Sequence, residues 1–351
     1  MSSPPRPRPR NRHSAREALC WLVAALVVHG CGAPAPRPAA PEAMTRTDPA
    51  GVLARNEEFA IVVTRPGDDL ATLARQFLGN PQLGWRISEY NDVTEIRPGQ
   101  TLVIPLRSHN PIGVHVDGYQ TVPILCYHRF GPRASKLTVT PAAFAAQMDY
   151  LARNGYHVVP LTRLPGFLAG NEPLPRKSVV ITIDDGYRAT SDIAFPILKK
   201  HGFPATVFLY SDFVGASDAL TFTQMKELLA SGLIDIQPHS KTHTNLTLRL
   251  PDESEVKYRE RLRQEVDVPI GVIHDRLAHA SIAYAYPYGD VNEPVVDLLA
   301  RRGVALGLTV TPGGNGFFAY PYLLRRTMVF GNEDLDSFKA KLVTFVRTPG
   351  K

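Results

Sequence analysis

From Thr121 onward the chain alternates short apolar runs with amphipathic stretches, and this alternation limits its folding more than any other feature. Residues 122–127, 179–183, 205–210, 233–237, 282–286 and 304–310 read as strands. Helical stretches fit 141–154, 191–201, 223–230, 253–265 and 294–302. In the first of these Phe144, Met148 and Leu151 share one face, and Gly155 stands where a C-cap is needed. Repeated β/α alternation over a segment of this size predicts an α/β fold around a parallel sheet, either open or closed into a barrel. The glycine-rich run 311–317 (TPGGNGF) lacks the Lys-Ser/Thr of a phosphate-binding loop and reads as a plain turn.

Three short motifs fall at the ends of these strands, where a β/α fold places its chemistry. Thr182-Ile-Asp184-Asp185-Gly186 closes the second strand. Two adjacent carboxylates there are costly unless something positive holds them. His239-Ser-Lys-Thr-His243 follows the fourth strand, and its two imidazoles can converge on one metal if the backbone turns. Ala285-Tyr-Pro-Tyr288-Gly289 ends the fifth. A carboxylate and two histidines make a three-ligand zinc site with a position left for water or substrate. A metal so held lowers the pKa of water from about 15.7 towards 7. The second carboxylate is then free to act as a general base.

These motifs resemble those of the polysaccharide deacetylases of carbohydrate esterase family four, over residues 121–346. The resemblance implies a distorted (β/α) barrel and metal-dependent hydrolysis of glycan N-acetyl groups. Carried over by position, it makes Asp185, His239 and His243 the metal ligands, with Zn2+ the expected ion, and Asp184 the base. The backbone N–H of Tyr288 becomes the oxyanion donor, an interaction typically worth about 3–4 kcal/mol. Two positions depart from the family pattern. Ala285 stands where an arginine commonly orients the base, and either Arg325 or Arg326 is available to supply that charge. The late Leu-x-His motif is absent, and no histidine follows His279. The early Tyr127-His128 resembles that of the poly-N-acetylglucosamine deacetylase branch, which makes His128 the expected general acid. An O-acetyl esterase and an inactive cell-wall-binding lipoprotein are the competing readings.

The front of the chain carries a different message. Arg6, Arg8, Arg10, Arg12 and Arg16 face the single acid Glu17, and the uncharged run 18–28 (ALCWLVAALVV) follows. Eleven residues are too few for a membrane span of about 20, and the pattern is that of an export signal over 1–30. Val28-His-Gly-Cys31 resembles a bacterial lipobox, which makes Cys31 the expected site of lipidation and a bacterial cell-envelope lipoprotein the expected product. Much of the formal charge of +6 sits in this segment, so the basic balance gives no support to nucleic-acid binding. Cys126 is expected to be a buried, inert thiol.

Residues 31–58 read as a Pro/Ala-rich tether, since 32–50 hold five prolines and six alanines. Residues 59–106 then show strand, helix, helix, strand, with Asp68 as the expected N-cap of a helix over 69–77. The PGDDL opening and PGQTLVIP ending of this unit resemble a LysM module. That resemblance implies binding of GlcNAc-containing glycans between two loops, with Gly67, Asp68 and Asp69 on one wall and Ile96, Arg97 and Pro98 on the other. The deacetylase domain is expected over 107–351. The expected whole is a monomeric envelope enzyme acting on peptidoglycan or poly-N-acetylglucosamine.

Overall fold

The structure is a computed structural model and describes residues 51–348. The export signal, Cys31 and the first part of the tether lie outside the described residues. Within the stretch expected to be tether, Gly51–Arg55 (β1) pairs antiparallel with Phe59–Val63 (β2). The Pro/Ala-rich surroundings hide this strand in the sequence, and it falls inside the expected tether. Leu70–Leu78 (α1) and Gly84–Asn91 (α2) follow, and Thr101–Pro105 (β3) returns beside β2. Ala60, Val62, Leu73, Ile87, Leu102 and Ile104 form the small core of this unit. The N-cap of α1 is Asp69, which accepts the Thr72 N–H at 2.6 Å. Asp68, the residue expected there, instead accepts the Arg65 N–H at 2.7 Å and closes the preceding turn.

The larger part of the chain is built on parallel strands. Val122–Tyr127 (β4), Ser178–Asp185 (β5), Ala205–Leu209 (β6) and Ile234–Pro238 (β7) pair side by side. Ala283–Ala285 (β8) pairs with Leu306–Leu308 (β9), and Leu308 bridges Leu324. Thr327–Met328 (β10) lies parallel to β4 and closes the ring. Between β7 and β8 side chains replace the ladder. Gln237 Oε1 accepts the N–H groups of Ile282 and Ala283 at 2.8 and 3.0 Å, so the backbone is satisfied there without strand pairing.

The period-two alternation of buried strands sorts residues to two faces. In β5, Val179, Ile181 and Ile183 pack with the helix layer, including Phe144, Met148 and Leu151 of Pro141–Arg153 (α3). Val180 packs instead with Ile124, Phe208 and Leu308 of the strand ring, and Thr182 and Asp184 fall on the same face by alternation. The helix expected to end at Glu265 continues as Glu255–Leu277 (α4) through Pro269. A proline and a nearby glycine signal a stop in sequence, but Tyr258, Leu262, Val266 and Ile273 bury one face and carry the helix past it. The run 311–317 is also more than a turn. Gly314 and Asn315 pair with Pro123 and Val122, and Asn315 is buried with its amide bonded to the carbonyl oxygens of Val122 and Arg325.

The small unit contacts the chain just ahead of β5, where Glu89 Oε1 accepts the Arg176 N–H at 2.7 Å. The carboxylates Asp184 and Asp185 stand at the opposite end of that eight-residue strand.

Candidate active site

Asp184 and Asp185 end a strand that is buried throughout, so both carboxylates must be compensated. Asp184 meets a guanidinium: Arg326 Nη1 donates to Oδ1 at 2.6 Å and Nη2 to Oδ2 at 2.8 Å. Arg326 is itself fully buried. Its Nε donates to Thr309 O, and Nη1 also reaches Thr182 Oγ1. This decides between the two arginines left open by the sequence. Burial alone would raise the Asp184 pKa, yet Arg326, with His239 and His128, holds it well below the usual carboxylate range.

The backbone turns sharply after Asp184. Asp185 has a φ of 74° and Gly186 of 82°, both left-handed, a conformation that non-glycine residues rarely adopt. Burial pushes the Asp185 pKa up to about 6; the Asp184 charge adds to the rise, while His128 and Arg129 oppose it.

His239 and His243 come to Asp185 from the loop after β7. His243 Nε2 stands 3.4 Å from Asp185 Oδ1, and His239 Nε2 stands 3.9 Å from the same oxygen. His239 Nδ1 donates to the carbonyl of Ala285 at 2.8 Å, which fixes the tautomer and turns Nε2 toward the carboxylates. Ala285, read from sequence as a missing arginine, thus contributes through its backbone. Burial lowers the His239 pKa to about 4 and also lowers that of His243, so both rings are neutral and ready to ligate at neutral pH.

One ligand atom from each of Asp185, His239 and His243 lies within 4.8 Å of the others. The set is one carboxylate and two neutral imidazoles around a single point, and it fits one divalent metal ion. A second cluster, Cys126, His128 and Asp184, has similar spacing but a different character. Both Asp184 oxygens are already bound to Arg326, which leaves little capacity for a second cation.

His128 follows β4 on the Asp184 side of the site, and its Nδ1 is buried without a protein partner. Cys126 is buried, as expected, but it is not remote: Sγ lies 3.5 Å from Asp184 Oδ2. Tyr288 has a φ of 63° in the turn Pro287–Gly289 and packs edge-on to His243 with ring centroids 5.0 Å apart. That turn is closed by N–H groups of Gly289 and Asp290, so closure makes no use of the Tyr288 N–H.

The glycan-contact candidates of the small unit lie apart from these residues. Gly67 has a φ of 92° in the turn before α1, and Asp68 and Asp69 hold that turn and the helix start. Thr64 ties this loop to the one carrying Ile96, since its N–H bonds to Gln100 O and its hydroxyl to Arg97 O.

A family model described as polysaccharide deacetylase matches residues 171–307. The chain is 30% identical over 209 residues to the Bacillus subtilis protein YxkH, named as a polysaccharide deacetylase, covering 59% of this chain and 71% of that one. The chain belongs to the polysaccharide deacetylase family. It is accordingly a hydrolase. A poly-beta-1,6-N-acetyl-D-glucosamine N-deacetylase of Staphylococcus epidermidis is 27% identical over 194 residues, which are 51% of this chain and 65% of that relative's length. Among solved structures of the family, IcaB from Ammonifex degensii superposes with a TM-score of 0.57 at 27% identity, covering 64% of this chain and 97% of that one.

Proposed function

We propose that the protein is a divalent-metal-dependent deacetylase that removes N-acetyl groups from a GlcNAc-containing envelope polysaccharide, with poly-N-acetylglucosamine favoured over peptidoglycan. The observation that carries the reading is the arrangement of one carboxylate, Asp184, held by Arg326 beside a separate cluster of Asp185, His239 and His243. The named substrate of the Staphylococcus epidermidis relative supports the choice of polymer.

When bound, the metal supplies Lewis acidity and an acidified water; Zn2+ suits the donor set. The chain's own residues do the rest. Asp184 remains ionised across the working pH range because of Arg326, and it accepts the proton of the attacking water. Its low basicity makes an acidified water necessary. The N–H of Tyr288, in a rigid left-handed turn, donates to the oxyanion that forms on the acetamide carbonyl. His128 donates a proton to the departing amine, which leaves as free glucosamine while acetate is released.

Residues 59–106 are proposed to be a LysM module that holds the enzyme on its polymer, supported by the PGD and PGQ turns at either end of the unit. Lipidation at Cys31 would tether the exported protein to the membrane. Among the described residues no helix is long and apolar enough to cross it.

The test is mass spectrometry of poly-N-acetylglucosamine oligomers and of purified peptidoglycan after incubation with the protein. Acetyl loss from the oligomers, abolished by a chelator and restored by Zn2+, is expected. Loss of acetyl groups from O-acetylated glycans alone would replace this reading with the esterase.

A further inference from the structure

Among the described residues, Glu265 is the one buried acid outside the metal and base positions. It lies on α4, 4% exposed, on a face otherwise formed by Tyr258, Leu262, Val266 and Ile273. A carboxylate on such a face needs donors, and all of those it finds belong to the histidine loop. Oε2 accepts the N–H of Lys241 at 3.0 Å and that of Thr242 at 2.9 Å, and Oε1 accepts the Thr242 hydroxyl at 2.7 Å.

The same two peptides are held from the other side. Ser211 N–H donates to Ser240 O at 3.2 Å and Asp212 N–H to Lys241 O at 2.9 Å. His239 N–H bonds to Leu209 O, and His243 N–H bonds to Ser240 Oγ at 2.8 Å. The loop needs such support, because Ser240 and His243 both have left-handed φ values, 74° and 60°, that non-glycine residues rarely adopt. Without that conformation, side chains four residues apart in an irregular loop have no reason to aim at one point.

We infer that Glu265 is a positioning residue: its carboxylate clamps the Lys241–Thr242 peptides and thereby brings His239 and His243 onto a common metal. This rests on the reading of those histidines as metal ligands. Loss of partners that orient metal ligands typically lowers affinity by about 10–100-fold.

The experiment compares Glu265→Met and Glu265→Gln with the parent, all as full-length, metal-stripped proteins. Methionine fills the space without accepting hydrogen bonds; glutamine keeps a carbonyl for the two N–H groups and an amide for the hydroxyl. Three quantities are read: Zn2+ affinity by calorimetric titration, the visible spectrum of the Co2+ form, and amide exchange of the peptide spanning 239–245 without metal. Glu265→Met should lose about tenfold or more in affinity, alter the Co2+ spectrum and exchange faster in that peptide. Glu265→Gln should restore all three to within a few-fold.

A folded Glu265→Met variant with parental affinity and spectrum overturns the inference. So does equal loss in both variants, which would point to the charge rather than to the clamp. Should Glu265→Met fail to fold, Thr242→Val removes only the hydroxyl bond. A few-fold loss of affinity with faster loop exchange then supports the clamp, and no change overturns it. If none of the proteins binds Zn2+, the parent included, the metal-site reading has failed instead.

Discussion

Arg326 holds Asp184 through two parallel hydrogen bonds, 2.6 and 2.8 Å long, across a distance of 142 positions in the chain. Arg326 is fully buried and Asp184 almost so, and each is the other's principal compensation. Removing one charge leaves the other buried and unpaired. Arg326→Met should therefore destabilise the protein by about 3–5 kcal/mol in denaturant titration and abolish activity. Arg326→Lys keeps the charge but not the fork, and should remain folded with kcat lowered by at least about tenfold.

The two adjacent aspartates should fail in different ways. Asp184→Asn is expected to bind metal with near-parental affinity and to release no acetate. Asp185→Asn should lose metal binding itself. Equal loss of metal in both, by calorimetry on stripped protein, would contradict the division of labour between them.

Metal uptake should depend on pH through Asp185. Its pKa stands at about 6 in the metal-free site, whereas that of His239 stands at about 4. A proton and the metal compete for the same carboxylate. Affinity should thus fall by about tenfold per pH unit below pH 6, with about one proton released per metal bound, and level off above it. The sign follows from the ligand form: Asp185 ligates ionised, and acid removes that form. Titrations between pH 5 and 8 in non-coordinating buffers would measure it.

His128 can be separated from the base by choice of leaving group. An amine must be protonated to depart, but a nitrophenolate need not be. His128→Asn should lower N-deacetylation by about 10²–10⁴-fold and spare nitrophenyl acetate hydrolysis. An equal loss on both substrates would assign His128 to substrate binding or packing.

Much of this site is visible in the sequence because its chemistry is local. Asp184, Asp185, His239 and His243 come in two tight motifs directly behind apolar strands, and period alone places both motifs at one end of a sheet. Arg326 was narrowed only to a pair, since the run 323–329 forms a two-residue strand, too short for alternation to show which arginine points inward. Glu265 offered one signal, an acid at an apolar position of a helix face. Glu265 is the last residue of the helix read over 253–265, and its donors lie on a loop that spacing does not connect to it. Asn315 is concealed by its flanking glycines, and β1 by the prolines that precede it. In each case the deciding contact is made across the fold, where sequence spacing carries no information.

The contact between Glu89 and Arg176 sets a limit on how such an enzyme can meet a polymer. It lies at one end of β5 and the carboxylates at the other, some 25 Å apart for eight residues of strand. Under the proposed glycan-binding reading, a chain held at this end of the strand would not be the stretch that faces Asp184. A short oligomer held there would not reach the carboxylates, so such a grip would help only on long or bundled material. The grip would then fix the reach of the catalytic end over neighbouring chains, and deacetylated sugars should appear at a distance from the point of attachment rather than beside it.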